Sequence, residues 1–262
     1  MRIALSIEYN GACYYGWQKQ KINKSKTIQY HVDKAISVIA NEPIVSTCAG
    51  RTDTGVHAFS QIVHFDTTKK RKDYKWIQGI NSFLPSDILV KDIFHVDESF
   101  HARYSALDRT YRYIILNQKY PSTHLLDNVL HFDQKINISK IRSTFKYFKG
   151  EKDYSCFRSS GCSAKNAIKH IKSIKISRNN NLIYIDITSN SFLYHMVRNI
   201  VGSLLDIGIL KYNPESIDTL INSLDRKLCG KMVPASGLYL MTASYPKKYK
   251  IFSDTKFSFF KI

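Results

Sequence analysis

Ile3, Leu5, Ile7 and Tyr9 occupy alternate positions of residues 2–9, which predicts a strand with one face turned to a core. Thr27 is placed as the N-cap of a helix carrying Ile28, Val32, Ala35, Ile36 and Ile39 at helical spacing, ended before Pro43. Strands near 44–50 and 60–66 follow, separated by a polar loop. A helix near 73–83 stops before Pro85, and a strand near 88–97 closes a β-α-β-β-α-β series.

The series then repeats. RTYRYIIL predicts a strand near 109–117, followed by a helix near 138–149 and strands near 169–178 and 182–189. Helices near 192–208 and 213–224 precede a last strand near 238–244. Two split β-α-β units of the ferredoxin type account for this order. The expected fold is therefore α+β, with two ferredoxin-like halves joined into one extended, mostly antiparallel sheet bearing helices on one face. The seam falls near residues 100–108, giving an N-terminal half over 1–105 and a C-terminal half over 106–262.

Composition adds a partner class. Lys and Arg number 39 against 21 Asp and Glu, a formal net charge of +18 over 262 residues. That excess points to a polyanion, nucleic acid before anionic membrane, although a sequence heavy in Lys, Ile, Asn and Tyr also accumulates lysines through codon usage alone. Hydrophobic residues at 44% and charged residues at 23% exclude a disordered chain. No run approaches the roughly 20 apolar residues that cross a bilayer. Glu8 interrupts the opening too early for a secretory segment, so a soluble, cytoplasmic protein is expected. The five cysteines, Cys13, Cys48, Cys156, Cys162 and Cys229, match no zinc-ligand spacing and read as reduced thiols.

The segment Ala49-Gly50-Arg51-Thr52-Asp53-Thr54-Gly55-Val56-His57-Ala58 concentrates polar chemistry between two expected strands. Its glycines suit a tight loop, and Asp53 beside Arg51 is held ionised. Such a carboxylate serves as nucleophile, base or metal ligand; a polar turn in which Asp and Thr cap backbone groups is the plainer reading. Asp53-Thr54-Gly55 also has the form used by aspartic proteases, but these need two carboxylates sharing a proton, and the chain carries one such triplet.

AGRTDTGVHA looks like the signature of the tRNA pseudouridine synthase A (TruA) family. The resemblance continues through Tyr9-Asn10-Gly11 with Tyr15-Gly16-Trp17-Gln18, Ile80-Asn81-Ser82-Phe83-Leu84-Pro85, and Phe100-His101-Ala102-Arg103-Tyr104-Ser105-Ala106 followed by Arg109-Thr110-Tyr111-Arg112-Tyr113. It extends to residues 190–202, NSFLYHMVRNIVG, and residues 234–240, PASGLYL. Together these segments span most of the chain in the family's order.

The resemblance implies conversion of uridine to pseudouridine in the anticodon stem-loop of tRNA, at positions 38, 39 and 40 on the 3′ side of the anticodon. It implies no cofactor and no metal, and a homodimer in which one tRNA spans both subunits. Asp53 becomes the catalytic carboxylate in a cleft between the halves. Whether it attacks the ribose, adds to the base or yields a glycal stays open. Extracting the target nucleotide costs a few kcal/mol, recovered in the pocket. Tyr111 matches the tyrosine that stacks on the base and takes its C5 proton, and Arg198 matches the arginine paired with the carboxylate. Arg51 matches a contact to the flipped nucleotide. Phe100, His101, Ala102, Arg103 and Tyr104, with Gly161, Cys162, Ser163, Ala164 and Lys165, align with RNA-contacting segments, and Arg71, just before an expected helix, is a similar candidate. Phosphate contacts of this kind position a substrate without reading its sequence.

The run Thr67-Thr68-Lys69-Lys70-Arg71-Lys72 reads equally as an RNA contact or a solvated loop. His57, His101 and His195 lack a metal-ligand pattern and read as structural hydrogen-bonding groups. Tyr30-His31, Leu107-Asp108 and the segment Ser159 to Lys165 depart from the family's usual residues, which bears on substrate range. The runner-up function is a catalytically silent RNA-binding or tRNA-chaperone protein on the same fold. Retention of Asp53, Tyr111 and Arg198 argues against it.

Overall fold

In the computed structural model, which describes residues 1–252, the elements in chain order are β1 (Arg2–Tyr9), α1 (Ile28–Ala40), β2 (Thr47–Cys48), β3 (His57–Asp66), α2 (Asp73–Phe83), β4 (Ile88–Val96), β5 (Asp108–Asn117), β6 (Leu130–Phe132), α3 (Ile138–Ser143), α4 (Phe145–Phe148), β7 (Gly150–Asp153), β8 (Ile168–Asn179), β9 (Leu182–Ser189), α5 (Met196–Gly208), α6 (Ser216–Ser223) and β10 (Leu238–Ser244). They gather into two compact units. The first comprises residues 1–109 and the described residues from 239 onward, the second residues 110–238. The fold is α+β with mostly antiparallel strands. No helix among the described residues is long and apolar enough to cross a membrane.

In the first unit β1 lies between β4 and β3, antiparallel to both, with Ile3 opposite Phe65 and His95. β2 pairs antiparallel with β3 through Thr47 and Cys48. This is the strand order of a split β-α-β unit. Ile3, Leu5 and Ile7 are fully buried on one face of β1, as their alternation predicts. Ala4 and Ile62, on the other, sit in a cluster with Phe100, Ala102, Ala243, Tyr245 and Tyr249.

α1 buries Ile28, Val32, Ala35 and Ile36 at helical spacing and closes on Asn41 in the left-handed conformation. Thr27 is its N-cap residue in extended conformation, but its hydroxyl turns back to the Lys24 carbonyl. The first helical amides, of Ile28 and Gln29, donate instead to the carbonyls of Gly16 and Trp17 at 3.2 and 3.0 Å. α2 packs close to α1 at Gly79, where an added Cβ would lie 2.9 Å from the Ile39 side chain. Asn81, from the INSFLP motif, exchanges two hydrogen bonds with the backbone of Val90 and so ties α2 to β4.

β10 pairs in parallel with β3, Tyr239 opposite His57 and Leu240 opposite Ala58. Residues 239–252 therefore cluster with the first unit. Pairing between strands so far apart in sequence leaves no local pattern.

In the second unit β9 and β8 form an antiparallel hairpin, β7 adds antiparallel to β8, and β6 runs parallel beside β5. Two short strands, β6 and β7, occur where no strand was expected. The expected helix over 138–149 is broken at Thr144, whose hydroxyl donates to the Ile141 carbonyl at 2.7 Å. The expected helix over 192–208 starts only at Met196, because His195 adopts a left-handed φ of 61°. The helix expected at 213–224 spans only Ser216–Ser223.

Candidate active site

Asp53 sits half-buried on the loop that leads into β3. The loop turns through the Val56 amide, which donates to the Asp53 carbonyl at 3.1 Å, and Gly55 supplies the positive φ of 76° that the turn requires. A second loop, residues 10–18, clamps it. The Trp17 amide donates to the Thr52 carbonyl at 3.0 Å, and the Gly55 amide donates to the Tyr14 carbonyl at 3.2 Å. The Tyr9 hydroxyl meets Thr52 Oγ1 at 2.7 Å.

Gly16 and Gly11 make this approach possible. A Cβ on Gly16 would stand 2.6 Å from the Thr52 carbonyl oxygen, and one on Gly11 would stand 2.0 Å from that of Val56. At the other end, Gln61 brackets Gly50 by accepting from its amide at 3.3 Å and donating to its carbonyl at 2.5 Å. The family-like opening motif is thus the physical support of the Asp53 loop.

His57 lies directly after this loop. Its Nδ1 accepts from the Gly11 amide at 3.1 Å, and its ring stacks on Tyr239 at 4.5 Å. Phe59 stacks on the same tyrosine at 5.0 Å, and burial raises the Tyr239 phenol well above its usual range.

Residues 100–106 form a second feature of the first unit. Phe100 and Ala102 are both 0% exposed and belong to the core with Tyr245 and Tyr249. Their side chains are enclosed in that core, which leaves the backbone as the route for an RNA contact at these two positions. His101, Arg103 and Tyr104 turn outward instead. Tyr104 is 78% exposed, with its ring 4.3 Å from that of His101 and the Arg103 guanidinium 5.8 Å above it. An aromatic face flanked by a cation is the arrangement that stacks on bases. His101 Nδ1 accepts from the amides of Arg103 and Tyr104, and burial lowers its pKa.

Arg109 ties this segment to the one that leads into the Asp53 loop. Its guanidinium donates to the carbonyl of Ala49 at 3.0 Å, to that of Ala106 at 3.3 Å, and to that of Arg103. Its role was not read from the sequence, although it stands in the RTYRY motif. Arg51 and Arg71 are exposed, the latter 6.0 Å from the Trp76 ring.

In the second unit, Tyr111 lies on β5, 9% exposed, with Phe192 packed edge-on at 5.1 Å and 84°. That packing fixes the plane of the ring. Arg198 is half-buried on α5, and its Nε donates to the Val233 carbonyl at 2.8 Å, which sets the direction of the guanidinium. α5 lies hard against this return segment, since a Cβ on Gly202 would stand 2.0 Å from the Lys231 carbonyl oxygen. The Tyr113 hydroxyl holds the Pro234 carbonyl at 2.7 Å, so the PASGLYL motif is anchored from β5.

Gly161 to Lys165 lie on a loop of the same unit, with Gly161, Ser163 and Lys165 exposed. Arg158 donates to the carbonyls of Cys162 and Ala164, both at 2.9 Å, and the Tyr194 amide donates to Cys162 Sγ at 3.4 Å. His195 stacks on Tyr194 at 3.7 Å and pairs with Ser159 Oγ at 3.1 Å. Burial, reinforced by Arg198 and Arg226, lowers its pKa to about 4, so the ring is neutral at pH 7. The three histidines singled out from the sequence all make hydrogen bonds within the protein, and all five cysteines are free thiols.

Comparison with known proteins agrees with these features. The sequence profile of the family described as tRNA pseudouridine synthase matches residues 5–105 and 144–246. A tRNA pseudouridine synthase A of Hydrogenovibrio crunogenus is 43% identical over 249 residues, 95% of this chain and 94% of that one. The corresponding protein of Vibrio campbellii shows the same identity and coverage, and that of Buchnera aphidicola subsp. Acyrthosiphon pisum is 44% identical over 248 residues, 95% of this chain and 92% of its own. Among solved structures, a chain of a Cbf5-Nop10-Gar1 complex aligns with a TM-score of 0.37 and 10% identity over 91% of this chain and 48% of that one, too remote to argue from. With the Asp53 loop, its glycine clamp and the Arg198 segment all inside the matched span, and Tyr111 within the stretch shared with these relatives, the chain belongs to the tRNA pseudouridine synthase family.

Proposed function

We propose that this isomerase converts uridine to pseudouridine in the anticodon stem-loop of tRNA, on the 3′ side of the anticodon. The N1–C1′ bond of the target uridine breaks, the uracil turns, C5 bonds to C1′, the proton on C5 leaves, and N1 takes up a proton in exchange. Atoms balance without an added reactant. The carrying observation is Asp53 on a loop clamped at both ends, in a chain 43% identical to tRNA pseudouridine synthase A along nearly its whole length.

In this reading Asp53 is the reacting carboxylate. Tyr111 stacks on the base and takes the C5 proton, and Arg198 is the cation that keeps the carboxylate ionised. Their rigid supports favour these roles, because a reacting group held in one geometry avoids ordering costs at the moment of reaction. Arg51, Arg71, His101, Arg103, Tyr104 and the loop from Gly161 to Lys165 hold the RNA, mainly through its phosphates. The protein acts in the cytoplasm as a homodimer with one tRNA spanning both subunits.

The test is release of tritium from tRNA labelled at uridine C5. Wild type releases stoichiometric tritium, and Asp53→Ala releases none while still binding tRNA. Undiminished release by Asp53→Ala overturns the assignment of the carboxylate. Binding without release by wild type would favour a silent RNA-binding protein.

A further inference from the structure

The loop between β1 and α1 carries Lys19, Lys21, Lys24 and Lys26, and no Asp or Glu occurs between Tyr9 and Val32. All four lysines are exposed. None forms an ion pair among the described residues. Asp33, whose charge Lys19 senses, is buried and bonded by the amide and hydroxyl of Ser46. Two of the ammonium groups lie over aromatic rings, Lys26 at 5.2 Å from the Tyr15 centroid and Lys19 at 5.9 Å from that of Tyr30. Tyr15 is itself 40% exposed. Four exposed lysines outside any ion pair among the described residues, two of them over tyrosine rings, form a surface for a polyanion with bases to stack.

The loop is also ordered before any partner arrives. Residues Lys24–Lys26 make a 3-10 turn closed by the Lys26 amide on the Asn23 carbonyl at 2.9 Å, and Asn23 takes the left-handed conformation. The Lys19 amide donates to Gln29 Oε1 at 3.1 Å, and His31 Nε2 pairs with the Ser25 carbonyl at 2.8 Å. A preformed cluster loses less conformational entropy on binding than a free arm does.

Its connection to Asp53 is short. The Tyr15 amide donates to the Lys26 carbonyl at 2.7 Å, and the next residue, Gly16, abuts the backbone of Thr52 and Asp53. Tyr14 and Trp17, on either side, hold the same loop through Gly55 and Thr52.

We propose that residues 19–26 form a phosphate-binding site for the RNA backbone, gripping the substrate through Lys19, Lys21, Lys24 and Lys26 beside the loop that carries Asp53. The inference rests on the reading above that RNA is the substrate. Lysine acts here as a point charge on phosphate oxygen, with the ammonium groups of Lys19 and Lys26 held over tyrosine faces. The site adds affinity irrespective of sequence, since phosphates carry no base identity.

The experiment measures tRNA binding by the full-length protein across a salt series. One variant combines Lys19→Ala, Lys21→Ala, Lys24→Ala and Lys26→Ala. A charge-matched control combines Lys140→Ala, Arg142→Ala, Lys146→Ala and Lys149→Ala, all exposed positions on α3, α4 and the residue after them. A third variant replaces the four loop lysines by Arg. The loop variant is expected to bind about tenfold or more weakly than the control near 0.1 M salt, with the slope of log Kd against log salt shallower by about 1 for each phosphate no longer neutralised. The Arg variant is expected to restore both. Equal behaviour of loop variant and control, whether both weakened or both unchanged, overturns the proposal. Tritium release by wild type is read in parallel. Its absence, with the loop effect present, removes the isomerase reading and leaves the phosphate site standing. Normal release without a loop effect does the reverse.

Discussion

The guanidinium of Arg109 reaches back to the carbonyl of Ala49 at 3.0 Å, across a gap of sixty residues, and holds Arg103 and Ala106 with its other donors. One side chain thus joins the strand end before Asp53 to the segment that presents His101, Arg103 and Tyr104. Arg109→Lys is expected to lower kcat/KM about tenfold or more. A single ammonium cannot serve three carbonyls in a fork, and each charge-assisted hydrogen bond removed is worth about 1.5–3 kcal/mol. Steady-state kinetics with tRNA check it, alongside circular dichroism to confirm folding. A variant with wild-type kcat and KM would remove Arg109 from any positioning role.

Gly16→Ala tests the clamp on the Asp53 loop. Gly16 has φ of +80° and no room for a Cβ against the Thr52 carbonyl. The left-handed conformation alone costs a residue with a side chain about 1–2 kcal/mol. The clash must then be relieved by moving the loop. A lower urea midpoint together with a fall in kcat larger than the rise in KM is expected. A loss of stability with unchanged kcat would mean that the clamp supports folding alone.

Tyr111→Phe separates stacking from proton transfer. Phenylalanine keeps the face and the edge-on packing with Phe192. Binding of tRNA should persist while product formation slows by about 10²–10⁴, the usual range for removal of a general base. Full activity in this variant would take Tyr111 out of the proton-transfer step.

Acid sensitivity should trace to His64. Its Nδ1 accepts from the Ala102 amide at 3.1 Å, and burial, with Arg2 and His101 nearby, lowers its pKa from 6.5 to about 4. Between those values the unfolded chain binds a proton that the folded one refuses. Stability is therefore complete above about pH 6.5 and falls as pH drops toward 4, by up to about 1.4 kcal/mol per pH unit for each such imidazole. Urea midpoints measured from pH 7.5 to 4.5 should decline less steeply in His64→Gln, which keeps an acceptor and does not titrate. Identical slopes would assign the acid loss elsewhere, with His195 the next group to examine.

The motifs that identify the family turn out to be mostly scaffold. Asn81 stitches α2 to β4, Gly202 admits the segment at Lys231, Tyr113 anchors Pro234, and Gly16 admits the Asp53 loop. Phe100 and Ala102 read as part of an RNA-contacting segment because residues 100–104 align with such a segment in the family that the sequence resembles. The core partners of Phe100, Tyr245 and Tyr249, arrive from the far end of the chain, and nothing local announces them.

By itself the sequence determined the periodic elements and the identity of the loop chemistry. β1, α1 and α2 follow from apolar spacing, since a face must be buried wherever that spacing is sustained. Asp53 between glycines is legible for the same reason, as a short-range pattern. Tertiary structure decided whatever depends on distant partners. The strand expected at 60–66 extends back to His57 because His57 and Phe59 find the Tyr239 ring. β6 and β7 exist because β5 and β8 offer edges for them to pair with. β10 joins the first unit through a parallel pairing of a few residues with β3. Backbone pairing and stacking are satisfied by whichever group reaches them in space, and the order of residues along a chain does not record that distance.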